Sequence, residues 1–150
     1  MGTSSIWALC LATISVAAAG SVLPFSPIEP YLLALSTVAP REWIIPLALL
    51  ATASHMVGKA LLYWASRRAA GVIPSRYQPH VDGTSKRLRA SVPLRYATML
   101  ASGMVGVPPF YLVTVLAGTL RVSLAEFLLI GTVGRAVRFI ALAALPQLAR

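Results

Sequence analysis

Leu23-Pro-Phe-Ser-Pro-Ile-Glu-Pro-Tyr-Leu-Leu-Ala-Leu-Ser-Thr-Val-Ala-Pro40 is the stretch on which the reading of the whole chain turns. Pro24, Pro27 and Pro30 each remove a backbone N–H and push the preceding residue out of the α region. No continuous helix is expected across the stretch, and its two apolar arms are expected to fold back on each other. In lipid, non-helical backbone survives only where protein or a wet cavity covers it, and proline-broken segments mark the binding sites of secondary transporters. Glu29, the one acid in the run, is therefore the first candidate functional residue. The alternative is a solvated loop holding Glu29 in headgroup water. The largely apolar character of Tyr31 to Ala39 argues against it.

Composition places this run in a membrane. Of 150 residues 57% are hydrophobic and only 11% charged, where soluble domains carry about 25% charged residues. The mean hydropathy is +0.76. A net charge of +9 would suit nucleic acid, but the charge is concentrated in the wrong way for that. Seven of 13 basic residues (Arg67, Arg68, Arg76, Lys86, Arg87, Arg89 and Arg95) lie in one proline-punctuated segment with Asp82 as the only acid. Under the positive-inside rule residues 67–96 read as a cytoplasmic loop, so no nucleic-acid partner is expected. Attraction to anionic lipid headgroups is one reading of such a segment, and a topology determinant with no further role is the preferred one. Turn signals at Ile73-Pro74, Gln78-Pro79, Asp82-Gly83 and Val92-Pro93 predict irregular structure there, with a short helical piece around Ser85 to Ala90.

The remaining apolar runs supply about three transmembrane helices. Ser4 to Val22 is long enough for one; the alternative is a cleaved signal peptide, against which Met1 to Ser5 carries no Lys or Arg. Ile44 to Ala65 is the second. Trp43 and Trp64 bracket it at a separation of roughly 31 Å, near the thickness of the hydrocarbon layer, and read as interfacial anchors. His55, Lys59 and Tyr63 share one face of this span. Lys59 lies within about 8 Å of Trp64, so it is expected to snorkel to the headgroups, and the deeper His55 to face another helix rather than carry a proton. The third span is Val122 to Leu145. Arg135 and Arg138 stand roughly 20 to 25 Å past Arg121, a depth at which arginine requires a bundle interior or a wet cavity. Snorkelling to the far headgroups is the alternative for Arg138.

Between the basic segment and the third span, Ala97 to Leu120 repeats the opening pattern: an apolar run, Gly103 and Gly106, Pro108-Pro109, then an apolar arm. The two halves align. Tyr31-Leu-Leu pairs with Tyr111-Leu-Val, Arg41 with Arg121, and Val57-Gly-Lys-Ala with Val133-Gly-Arg-Ala. With one crossing per unit the second copy is inverted, which is the transporter pattern. The expected fold is thus an all-α integral membrane protein with about three transmembrane helices and two re-entrant hairpins in an inverted repeat. Residues 1–150 form a single membrane domain: an N-terminal helix in 1–22, repeat 1 in 23–70, the basic cytoplasmic loop in 71–96 and repeat 2 in 97–150. A homodimer would cover hairpins that one protomer buries poorly.

Glu29 opposes Lys59, Arg135 and Arg138, so the intramembrane charge is net positive and suits a phosphate, which matches the guanidinium fork. Cys10 is alone and His55 and His80 are far apart, so no disulfide, metal or other cofactor is expected. Nucleophile, Walker and dinucleotide motifs are absent from the sequence, and an enzyme ranks last among the functional readings.

Pro24-Phe-Ser-Pro-Ile-Glu-Pro-Tyr-Leu-Leu33, Val57-Gly-Lys-Ala-Leu-Leu-Tyr63, Leu116-Ala-Gly-Thr-Leu-Arg-Val-Ser-Leu-Ala-Glu-Phe127 and Gly134-Arg-Ala-Val-Arg-Phe139 together resemble the DedA superfamily, the SNARE-associated or VTT-domain membrane proteins. The chain looks like the short YqaA-like branch, over about residues 23 to 143. The resemblance implies two re-entrant hairpins, residence in the bacterial inner membrane and a role in membrane homeostasis. Relatives are linked to moving phospholipids or polyprenyl phosphates, with an acid where Glu29 stands. At the second hairpin tip, where many members carry arginines or an acid, this chain reads Val107-Pro-Pro-Phe-Tyr111, so proton coupling is not carried over. The functional expectation is a transporter or flippase of anionic lipid using Glu29, Arg121, Arg135 and Arg138, with Lys59 and His55 as further candidates. The alternative is a non-transporting module that packs against partner proteins through Gly131, Gly134 and alanine-rich faces.

Overall fold

The computed structural model describes residues 3–23, 27–68 and 78–148. It is all-helical, with no strand among the described residues. The helices are α1 (Thr3–Val22), α2 (Ile28–Val38), α3 (Ile44–Arg68), α4 (Gln78–Arg89), α5 (Val92–Met104), α6 (Phe110–Thr119) and α7 (Leu124–Leu148), with a 3₁₀ turn at Arg41–Trp43 leading into α3. Among the described residues three segments are long and apolar enough to cross a membrane: Ser5–Val22, Arg41–Arg68 and Leu124–Pro146, with mean hydropathies of 1.8, 1.5 and 1.8. The protein is accordingly read as a membrane protein. The helices α2 and α6, of 11 and 10 residues, are too short for a span at 1.5 Å per residue.

The prolines of the opening stretch act differently from one another. Pro24, Phe25 and Ser26 lie outside the described residues. Pro27 sits at the N-cap of α2, and Pro30 falls in the first turn, where its missing N–H has no helical partner to lose. One helix rather than two arms therefore occupies residues 28–38, and the helix it packs against is α1. Thr13 and Tyr31 join the pair through their hydroxyls at 2.8 Å.

The chain forms two compact units, residues 1–58 with 135–150 and residues 59–134. In the first, Ala17, Ile28, Leu32, Leu35, Leu47, Ala51, Phe139 and Ala143 form a continuous buried core drawn from α1, α2, α3 and α7. In this core Gly58 of α3 meets Ser21 of α1 so closely that any side chain at 58 would overlap it. In the second unit α4, α5 and α6 pack on one another. The rings of Tyr63, Phe127 and Phe110 stack in sequence with centroids 5.7 and 5.8 Å apart.

From residue 78 onward the basic segment is more helical than its turn signals suggested. Pro79 lies in the first turn of α4 and Gly83 is accommodated in its interior, so the helix runs Gln78–Arg89 rather than only around Ser85 to Ala90. Val92-Pro93 opens α5, with the Ser91 hydroxyl accepting from the Leu94 N–H at 3.4 Å. The Ile73-Pro74 signal and Arg76 lie outside the described residues. The break expected near Pro108-Pro109 falls between Met104 and Phe110, with Gly106 at φ 90° and the Ser102 hydroxyl donating to the Pro108 carbonyl at 2.6 Å.

Tyr63 closes the second unit. Its buried hydroxyl donates to the Val122 carbonyl and accepts from Arg67 Nη1 at 2.7 Å. Tyr63→Phe leaves that carbonyl without its side-chain donor, so a loss of about 2 kcal/mol is expected. A thermal melt in one detergent checks it, and a midpoint equal to the wild type contradicts it.

Candidate functional site

Glu29 lies in the first turn of α2, where the helix dipole favours a carboxylate. Arg135 and Arg138 are one turn apart on α7 and both face it. Arg138 grips the carboxylate with two hydrogen bonds, Nε donating to Oε1 at 2.8 Å and Nη2 to Oε2 at 2.9 Å. Arg135 approaches Oε1 through Nη1 at 3.8 Å, an ion pair without hydrogen-bond contact. The arginines differ in setting. The Arg135 side chain is 7% exposed, against 22% for Arg138 and 30% for Glu29. One carboxylate thus sits among two guanidiniums and leaves an excess positive charge inside an apolar unit.

Around this trio Phe139 receives two groups. The Arg135 guanidinium lies 5.7 Å from its ring centroid, and the buried His55 ring meets it edge-on at 5.6 Å. His55 therefore faces another helix as its depth suggested. The sequence reading passed over Phe139, although an aromatic four residues after Arg135 on the same helical face was the available signal.

Lys59 and Arg121 belong to the second unit. Lys59 does not snorkel. It is 2% exposed with its ammonium 5.3 Å from the Tyr111 ring centroid. Counting residues from Trp64 gave its depth along α3 but could not reveal an aromatic supplied by α6. Arg121 is exposed and ends α6 in a Schellman turn: Val122 N–H donates to Ala117 O at 2.9 Å and Arg121 N–H to Gly118 O at 3.1 Å. Arg121 itself takes the left-handed conformation, φ 55°.

No family model, curated protein or solved structure matches this chain.

Proposed function

We propose that the protein is a DedA-like membrane protein that moves anionic lipid, a phospholipid or a polyprenyl phosphate, across the bacterial inner membrane with residues 67–96 on the cytoplasmic side. The observation that carries this reading is the bidentate Arg138–Glu29 contact beside the buried Arg135. A lipid phosphate offers Arg138 the same pair of oxygens that the carboxylate does, so the two compete for one fork. Arg135 supplies the second positive charge that a phosphate needs and a lone carboxylate only partly answers. Glu29 keeps the guanidiniums partnered when no lipid is bound and displaces the phosphate at the end of the passage. The chemistry is exchange of ion partners, with no covalent step.

A second observation supports the inverted repeat behind this reading. In one unit Lys59 of α3 meets Tyr111 of α6; in the other, Arg135 and Arg138 of α7 meet Glu29 of α2. Lys59 and Arg135 occupy matching positions of the two halves, and α2 and α6 each follow a break. Each short helix thus receives a cation from the long helix of the other half. The alternative of a packing module is disfavoured by Gly131 and Gly134, which are buried inside the chain; Gly134 faces Gly103 and the Leu100 carbonyl, so that face already has its partner.

Proteoliposomes carrying fluorescent phosphatidylglycerol test the proposal by dithionite quenching of outward-facing lipid. Wild-type protein is expected to expose inner-leaflet lipid, and Arg138→Ala to slow this by about 10- to 100-fold, the value of one charge-assisted contact. Glu29→Gln is expected to bind the headgroup more tightly yet release it more slowly, because no carboxylate competes for the fork. Wild-type vesicles no faster than empty ones, or Arg138→Ala matching the wild type, would overturn it.

A further inference from the structure

A second cluster of guanidinium groups lies in the unit of residues 59–134, in a cleft of about 310 Å³ that includes Arg89, Arg95, Arg121, Ser123 and Glu126. That volume is at the lower end of small-ligand sites, roughly 300–1,000 Å³. Arg95 is committed to Glu126, with Nη2 3.2 Å from Oε2. Among the described residues neither Arg89 nor Arg121 is paired with a carboxylate, so with Glu126 taken by Arg95 the cleft carries an excess of two positive charges. Ser123 immediately precedes α7, whose first N–H groups add positive potential on the same side.

Arg121 supplies an independent observation. It holds the position of a Schellman turn that glycine normally takes, because a Cβ is unfavourable in the left-handed region. Glycine would close the same turn with less strain, so the turn does not account for the arginine. Its side chain, on the wall of the cleft, does. We propose that Arg89 and Arg121, with Arg95 held in place by Glu126, form a phosphate-binding site separate from the Glu29 cluster, which takes either a lipid headgroup phosphate or free phosphate. The site does not depend on the transport reading, since binding here requires no movement of lipid.

The test is calorimetric titration of the full-length protein with inorganic phosphate in a neutral detergent, paired with binding to nanodiscs of phosphatidylcholine with and without one-tenth phosphatidic acid. Arg121→Gly is expected to weaken binding by about 10-fold or more, and, in an Arg138→Ala background that removes the fork facing Glu29, Arg89→Gln with Arg121→Gly to remove the difference between the two nanodiscs. Without ligand, Arg121→Gly is expected to melt at or above the wild-type temperature, which separates lost binding from lost folding; Arg89→Gln alone provides the same comparison without touching the turn. Saturable binding of inorganic phosphate assigns the site to free phosphate, and binding confined to phosphatidic acid assigns it to a headgroup. Wild-type protein binding neither probe, or Arg121→Gly and the double variant binding as the wild type does, would overturn the proposal whatever the transport assay gives.

Discussion

Glu29→Ala is expected to destabilise the protein by about 3 kcal/mol. Breaking a buried ion pair by removing one partner costs about 3–5 kcal/mol, because the other charge remains in a poorly solvated place. The lower end applies here, since the Glu29 side chain is 30% exposed while Arg135 is 7% exposed. Two guanidiniums one turn apart on α7 would then lose the carboxylate that both of them face. The helix-dipole contribution of Glu29 at the start of α2 is about 0.3–1 kcal/mol and cannot account for a loss of that size. The two origins separate in a variant background. With Arg135→Met and Arg138→Gln in place, Glu29→Ala should cost only the dipole contribution, roughly 0.5 kcal/mol. Thermal unfolding followed by tryptophan fluorescence in one detergent measures all four proteins. A wild-type midpoint for Glu29→Ala, or the same loss in both backgrounds, would refute the charge account.

That the sequence pointed to Glu29 and Arg135 has a simple cause. Charges are rare in a chain that is 11% charged, and depth along a helix follows from counting residues, so the ionisable groups inside apolar runs could be listed and their signs compared. The long helices were equally legible, because a run of some twenty apolar residues has few other uses. Contacts between distant segments were not. Nothing near Lys59 announces Tyr111, and nothing near Arg95 announces Glu126, since these partners meet only after α6 and α7 are placed. The helix α4 was missed for a different reason. Gln78-Pro79 and Asp82-Gly83 are turn signals by composition, yet a proline in the first turn and a glycine on an open face are both tolerated, and packing against α5 and α6 outweighs a propensity deficit of about 1 kcal/mol. The left-handed Arg121 is unreadable from sequence because the residue there is not the glycine that usually marks such a turn.

Gly118→Ala should reverse the usual sign of a glycine-to-alanine change in a helix. In an open helical position this substitution gains about 0.5–1 kcal/mol, since alanine gives up less backbone entropy on folding. Gly83 in α4 is such a position, with nothing within 4 Å of an added methyl group, and Gly83→Ala is expected to raise stability by that amount. Gly118 lies instead where α6 crosses the last turns of α3. A methyl group there would overlap the Tyr63 carbonyl oxygen and stand 3.2 Å from the Arg67 backbone nitrogen and 3.0 Å from Ser66 Cβ. Backbone atoms within a helix cannot rotate aside as a side chain does, so the helices must separate. Separation would disturb the Tyr63–Phe127–Phe110 stack and the hydrogen bond from Tyr63 to Val122 at once. Overpacking of a well-filled contact costs about 1–3 kcal/mol, which exceeds the entropic gain, and a loss of about 2 kcal/mol is expected for Gly118→Ala and more for Gly118→Leu. Melting curves of the Gly83 and Gly118 variants side by side decide the matter: a rise at both positions would show that α6 and α3 are not in backbone contact.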